Sequence, residues 1–220
     1  PPHRSDTMTA NLAAYPCAMT ATALALLCGT TQAGDVVVAV AANFAGPLAQ
    51  LSAYLNALTT AEAEFTQVNA DGSISTGKLF IKRPGRARFE YDPPDRSLVM
   101  AGGGQVAIFD AKSNQPPEQY PLARTPLNLI LAPDVDLTRA RMVVAHREVD
   151  GTTRVVAQDP EHPEYGTIEL VFTDQPLQLR QWIITDDMGA QTTVILGNLA
   201  ASADFPPSAF SINYEMERRK

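Results

Sequence analysis

Cysteine is nearly absent: the 220 residues include 2, Cys17 and Cys28, both near the start of the chain. A disulfide-rich scaffold is excluded, and a chain trimmed of a leader would carry no thiol nucleophile at all. Basic charge is also short. Lys plus Arg is 17 against 24 Asp plus Glu, giving a net charge of −7, which excludes the cationic face that non-specific nucleic-acid binding requires. The 3 histidines, His3, His146 and His162, stand apart, with no partner at metal-ligand spacing. His146 beside Arg147 and Glu148 reads as a solvated strand position, and His162 belongs to the turn-rich Asp159–Glu164. No Gly-x-Ser-x-Gly elbow is present. Gly102-Gly-Gly104 leads into a strand and is not followed by Gly-Lys-Ser/Thr, so it reads as a hairpin turn and not a phosphate loop. Asp186-Asp187 falls in a turn, where solvation explains it. The expectation is a protein that is not an enzyme and has no metal or cofactor.

Hydrophobic residues make up 45% and charged residues 19%, a globular composition. Seventeen prolines and 13 glycines disfavour a helical bundle, since both residues punctuate turns. Ala18–Leu27 is an uncharged apolar stretch, too short for the roughly 20 residues of a membrane span. Thr31-Gln32-Ala33 follows it with small residues, which predicts a secretory leader cleaved after Ala33, although Met8–Ala18 lacks the usual Lys or Arg. Cys28 is preceded by Leu27, too large for a lipidation site. The expected division is 1–33 leader, 34–46 an atypical segment and 47–220 one domain.

Asp35–Val40 is an apolar, strand-like run. With Ala41–Leu48 it resembles the opening of a periplasmic solute-binding protein, but no βαβ alternation follows. Leu48, Leu51, Leu55 and Leu58 recur at spacings of three and four, predicting an amphipathic helix over Pro47–Leu58. Beyond it, eleven short segments read as strands: Glu62–Val68, Ser75–Lys82, Ala87–Tyr91, Ser97–Ala101, Gln105–Asp110, Arg141–Arg147, Thr153–Gln158, Ile168–Thr173, Gln178–Thr185, Thr192–Leu196 and Phe210–Ile212. Asp71-Gly72, Asp150-Gly151 and Met188-Gly189 separate them at hairpin spacing. One apolar helix interrupts, over Thr125–Ala132, with Thr125 as N-cap and Pro126 at its first position. The predicted fold is mainly β with short helices (α+β), a large antiparallel meander whose concave side is covered by the two helices.

The block from Gly77 to Pro94, Glu64-Phe-Thr-Gln67, Gln105–Asp110 and Tyr120-Pro-Leu…Thr125-Pro-Leu…Ile130-Leu occur in an order and spacing that resemble the outer-membrane lipoprotein carrier (LolA) family. The resemblance runs from about Leu51 to Lys220, roughly three quarters of the chain. It implies a curved half-barrel with a helical lid and an apolar concave face that holds lipoprotein acyl chains. The implied partners are acylated lipoproteins, an inner-membrane lipoprotein-releasing ABC transporter and an outer-membrane receptor, with the carrier a periplasmic monomer of a Gram-negative bacterium. Phe89, Tyr91 and Val99 would line the groove, and Leu127, Leu129 and Ile130 would close it. Sequence alone leaves those residues equally readable as ordinary core. Arg83 matches the family's lid-latching arginine; read by itself, it is an arginine at a strand end. A lipoprotein-sensing regulatory or receptor module on the same half-barrel is the alternative function.

Overall fold

The computed structural model describes residues 33–113, 115–139, 141–202 and 204–219. Residues 1–32 of the predicted leader, with both cysteines and His3, lie outside them. Val40–Lys220 form one compact unit, and it carries the sheet.

The first helix, α1, spans Ala33–Ala57. Asp35–Val40 is therefore helical and not the strand its apolar run suggests. A lone apolar segment becomes a strand only beside a neighbour with free backbone groups, whereas a helix satisfies its own. Pro47 lies inside the helix and removes one of its backbone bonds. Leu48, Leu51 and Leu55 are all buried, the stripe predicted from their spacing.

The strands follow as β1 (Thr60–Val68), β2 (Ile74–Lys82), β3 (Ala87–Tyr91), β4 (Leu98–Gly102), β5 (Gln105–Phe109) and β6 (Glu118–Pro121), then β7 (Val143–Val149), β8 (Thr152–Gln158), β9 (Thr167–Asp174), β10 (Leu177–Thr185), β11 (Gln191–Leu196) and the two-residue β12 (Ala200–Ala201). They form one 12-stranded antiparallel sheet in the order β6-β5-β4-β3-β2-β1-β11-β10-β9-β8-β7, with β12 beside β1. The chain thus meanders outward from β1 to one edge, crosses to the other edge, and meanders back to meet β1. A single buried cluster joins Val106 on β5 to Val155 on β8, near opposite ends of that order, so the sheet curls around its contents.

The crossing, residues 122–142, lies over the hollow and buries Leu122, Ile130, Val135 and Met142 in the same cluster. It contains less helix than predicted. A 3-10 turn occupies Leu122–Arg124, and α2 spans Asn128–Leu131 only. Thr125 is extended, and its Oγ1 donates back to the Leu122 carbonyl at 2.8 Å. The hydroxyl is thereby taken from the capping role, and Leu127 begins α2 without a side-chain cap. Ser52 ties the crossing to α1: its Oγ donates to the Leu48 carbonyl (2.7 Å) and accepts from the Leu137 N–H (2.9 Å).

On the convex face a smaller cluster joins Leu98 and Met100 of β4, Ala107 and Phe109 of β5, and Ile212. The predicted strand Phe210–Ile212 is instead the junction of a 3-10 turn, Pro207–Phe210, with helix α3, Ile212–Arg218. Ser211 Oγ accepts the Tyr214 N–H and caps α3. Ile212 and Met216, four residues apart, then face the sheet together. Among the described residues, no helix is long and apolar enough to cross a membrane.

Candidate functional site

Alternation along β1 and β3 aims Phe65, Phe89 and Tyr91 into the hollow. Phe65 meets Phe89 and Tyr91 edge-on at centroid distances of 5.5 and 5.2 Å, and Phe89 meets Trp182 of β10 at 6.3 Å. Gly77 makes this close packing possible. It pairs with both Phe65 and Tyr91, and a Cβ there would lie 2.1 Å from the Glu90 carbonyl oxygen and 2.9 Å from the Phe65 ring.

Above this aromatic floor a cavity of about 470 Å³ remains between sheet and crossing, a volume ordinary for a ligand pocket. Phe89, Tyr91, Val99, Trp182, Val194 and Leu127 line it. The predicted groove residues Phe89, Tyr91 and Val99 thus share one wall, with Leu127 opposite on the crossing. Ile130 is buried in the core and Leu129 packs against it half-buried; neither lines the cavity. Glu164, Asp186 and Asp187 lie around the cavity, with Arg124 the cation among its lining residues.

Polar side chains also line the hollow, among them Gln67, Tyr91, Tyr120 and Thr192. Tyr91 Oη donates to Gln67 Oε1 at 2.7 Å. Burial pushes the phenol up to about 12, against the opposing pull of the Gln67 bond, so it stays neutral. Sequence reading named neither Gln67 nor Trp182 as lining the groove. For Gln67 a signal existed: it continues the inward phase Ala61, Ala63, Phe65, where a polar side chain breaks the apolar pattern.

Arg83 follows β2 and reaches two covers at once. Its Nη1 donates to the Leu55 carbonyl in the last turn of α1, which also accepts the Leu58 N–H at 3.2 Å. Its Nη2 donates to the Ala132 carbonyl, just past α2, at 2.5 Å, and to Asn56 Oδ1 at 3.0 Å. Asn56 continues the link, donating to the Val135 carbonyl and accepting the Val135 N–H, each at 2.9 Å. Burial lowers the Arg83 guanidinium from its ordinary value, with Asp134 acting the other way. The neighbouring Gly85 N–H binds the Leu131 carbonyl at 2.8 Å. His162, by contrast, stacks on Tyr165 and bonds Glu164 through Nδ1 at 3.0 Å. Among the described residues no group of three or more His, Cys, Asp or Glu is arranged to hold a metal.

Residues 56–213 match the sequence model of the outer membrane lipoprotein carrier protein LolA. The chain belongs to this family. The outer-membrane lipoprotein carrier protein of Chromobacterium violaceum is 26% identical over 185 residues, covering 79% of this chain and 88% of that protein. That of Chromohalobacter salexigens is 25% identical over 176 residues, covering 76% and 82%. A solved LolA superfamily protein from Nitrosomonas europaea is 10% identical, covers 70% of this chain and 91% of its own, and has a TM-score of 0.39, too low to add to the assignment. At family level the relatives are named as carriers of lipoproteins.

Proposed function

We propose that this member of the lipoprotein carrier family is a periplasmic, non-enzymatic chaperone that buries the acyl chains of lipoproteins in the cavity between sheet and crossing. It would take cargo from an inner-membrane lipoprotein-releasing ABC transporter and hand it to an outer-membrane receptor. The observation that carries this reading is the 470 Å³ cavity walled by Phe89, Val99, Trp182 and Leu127. Each methylene withdrawn from water contributes about 0.8 kcal/mol, so an apolar hollow needs no cofactor to compete for a lipid anchor. Closing the crossing over the empty hollow keeps the same surface from aggregating.

Arg83 acts in this reading as the latch. Its bonds to the Leu55 and Ala132 carbonyls favour the closed, empty state, and incoming chains must offset them. Cargo is therefore held loosely enough to pass on. The test compares binding of a diacylated peptide and its unacylated form to wild type and to Leu127→Asp. The carboxylate should abolish binding of the acylated peptide and leave the unacylated one unaffected. Equal loss for both would reject the acyl groove.

A further inference from the structure

We infer that the crossing is hinged at Pro133-Asp134, so that the stretch carrying α2 lifts while the stretch from Val135 stays on α1, held there by Asn56 and Ser52 as positioning residues; the inference rests on the latch reading above. The crossing meets the rest of the fold through two separate sets of bonds. Ahead of Pro133, the Leu131 and Ala132 carbonyls accept from the Gly85 N–H (2.8 Å) and Arg83 Nη2 (2.5 Å), both between β2 and β3. After it, the partners belong to α1. The Asn56 amide takes both backbone groups of Val135, accepting the N–H through Oδ1 and donating Nδ2 to the carbonyl, each at 2.9 Å. Nδ2 also donates to Asp134 Oδ1 at 3.2 Å. One helical turn earlier, Ser52 Oγ accepts the Leu137 N–H at 2.9 Å.

The spacing accounts for this match. Four residues of helix rise about 6 Å, and two residues of extended chain about 6.6 Å. Exposed Asp134 and Asp136 alternate with buried Val135 and Leu137, as they would along a strand. An asparagine amide offers donor and acceptor together, like the peptide group of a neighbouring strand. The helix thus presents a surrogate strand edge to this stretch. α1 is also tied to the sheet independently of Arg83. Tyr54 Oη accepts the Leu179 N–H at 3.2 Å, and its ring meets Phe172 edge-on at 5.9 Å. Releasing Arg83 therefore frees the stretch that ends at Ala132 and leaves α1 with Val135–Leu137 in place. Pro133 and Asp134, both exposed, lie at the join, where a change of backbone dihedral moves no buried side chain. Asn56 Oδ1 also accepts Arg83 Nη2 at 3.0 Å, so the fixed stretch keeps an acceptor aimed at the latch for its return.

Each set of bonds contains its own reporter: the Gly85 N–H on the α2 side, and the Val135 and Leu137 N–H groups on the α1 side. Their exchange with deuterated water is followed by NMR, with no lipid present, so the result does not depend on what the cavity holds. Arg83→Leu should speed exchange at Gly85 by about tenfold or more. Val135 and Leu137 should stay within about twofold of wild type. Arg83→Lys, which keeps the charge but loses the planar fork, should show the same split with a smaller rise at Gly85. Leu137 keeps its Ser52 acceptor in Asn56→Ala, so there it should again stay within about twofold, yet in Asn56→Ala combined with Arg83→Leu it should exchange about tenfold faster. Val135 and Leu137 accelerating in step with Gly85 in Arg83→Leu would overturn the hinge, since the crossing would then leave α1 whole. An unmoved Leu137 in the double variant would overturn the role of Asn56. No acceleration at Gly85 in either Arg83 variant would overturn the latch itself and this inference with it, leaving the acyl groove standing.

Discussion

The concave and convex faces of the sheet are both covered, yet by different means. On the concave side the crossing leaves a cavity beneath it, and Arg83 fastens it through neutral acceptors: two carbonyls and an amide oxygen. On the convex side α3 covers a small apolar cluster and is fastened by charge. Glu215, with 3% of its side chain exposed, accepts from Arg218 Nη2 (2.6 Å) and Arg219 Nε (2.7 Å), and pairs with Arg88 Nη1 at 3.3 Å. Gly102 lets this cover sit close, since a Cβ there would lie 2.2 Å from the Phe210 carbonyl oxygen. A carboxylate among three guanidiniums has no comparable alternative once buried. Carbonyls and an amide can trade one arginine for water. On the proposed latch reading, the difference separates a face organised to stay shut from one organised to open.

The largest break in this contrast should come from Glu215→Gln. Removing the charge takes the shared buried acceptor from Arg88, Arg218 and Arg219, leaving Arg88 its more exposed partner Glu90 (Nε to Oε1, 2.6 Å), and should lower stability by about 3 kcal/mol, roughly 6–12 °C in Tm. Acylated-peptide binding, measured well below that Tm, should be unchanged; a loss would show that the two faces are coupled. The same group sets a pH limit. Burial alone would raise its pKa, but the bonds from Arg218 and Arg219 and the charge of Arg88 outweigh it and hold the carboxyl at about 2 instead of 4.5. Its stabilisation is therefore complete above about pH 4.5 and fades as pH falls toward 2. Denaturant titrations across that window should show the fade in wild type and its absence in Glu215→Gln.

Gly77→Ala should come next, at about 2–3 kcal/mol, because the obstructing atom is a backbone carbonyl that cannot swing aside. Here stability and peptide binding should fall together, since Tyr91 lines the cavity and Phe65 packs edge-on beneath it. Binding that survives intact would separate the floor from the ligand.

Arg83→Leu should lower stability less and change function more. Loss of charge-assisted bonds worth about 1.5–3 kcal/mol shifts the closed-to-open balance by roughly 10- to 150-fold. The variant should hold acylated cargo more tightly and release it poorly in a transfer assay from carrier to outer-membrane receptor. Weak binding, or transfer at the wild-type rate, would return Arg83 to a purely structural role. The smallest effect belongs to Arg139→Ala. Arg139 meets Glu161 at 3.2 Å with both side chains exposed, a pair worth about 0.5 kcal/mol or less. Its Tm and transfer rate should match wild type.

How far the sequence anticipates this arrangement depends on how local each signal is. The strand β3 falls at the predicted Ala87–Tyr91 because alternation and flanking turns bound it on both sides. By contrast, β6 is entirely exposed and ends in Pro121, features that suggest a loop until a neighbour supplies an edge to pair with. Phe210 and Ile212 alternate like a strand, and only the Ser211 cap between them separates two helical turns. Arg83 was visible as a candidate through the family resemblance alone, since its acceptors lie 28 and 49 residues away and belong to tertiary structure. The cavity is least legible, because whether Phe89 and Val99 face atoms or space depends on where residues 122–142 come to rest.

That resting place follows from the order of the strands. The edges β6 and β7 are sequence neighbours placed at opposite margins of the sheet, and the segment between them must bridge the hollow. It works as a bowstring on a bent bow. An occupant that spreads the margins lengthens the distance the string must cover, and Arg83 grips the string at Ala132. On the proposed acyl-groove reading, tension from a filled hollow would be delivered to that grip, and filling and unfastening would be a single mechanical event.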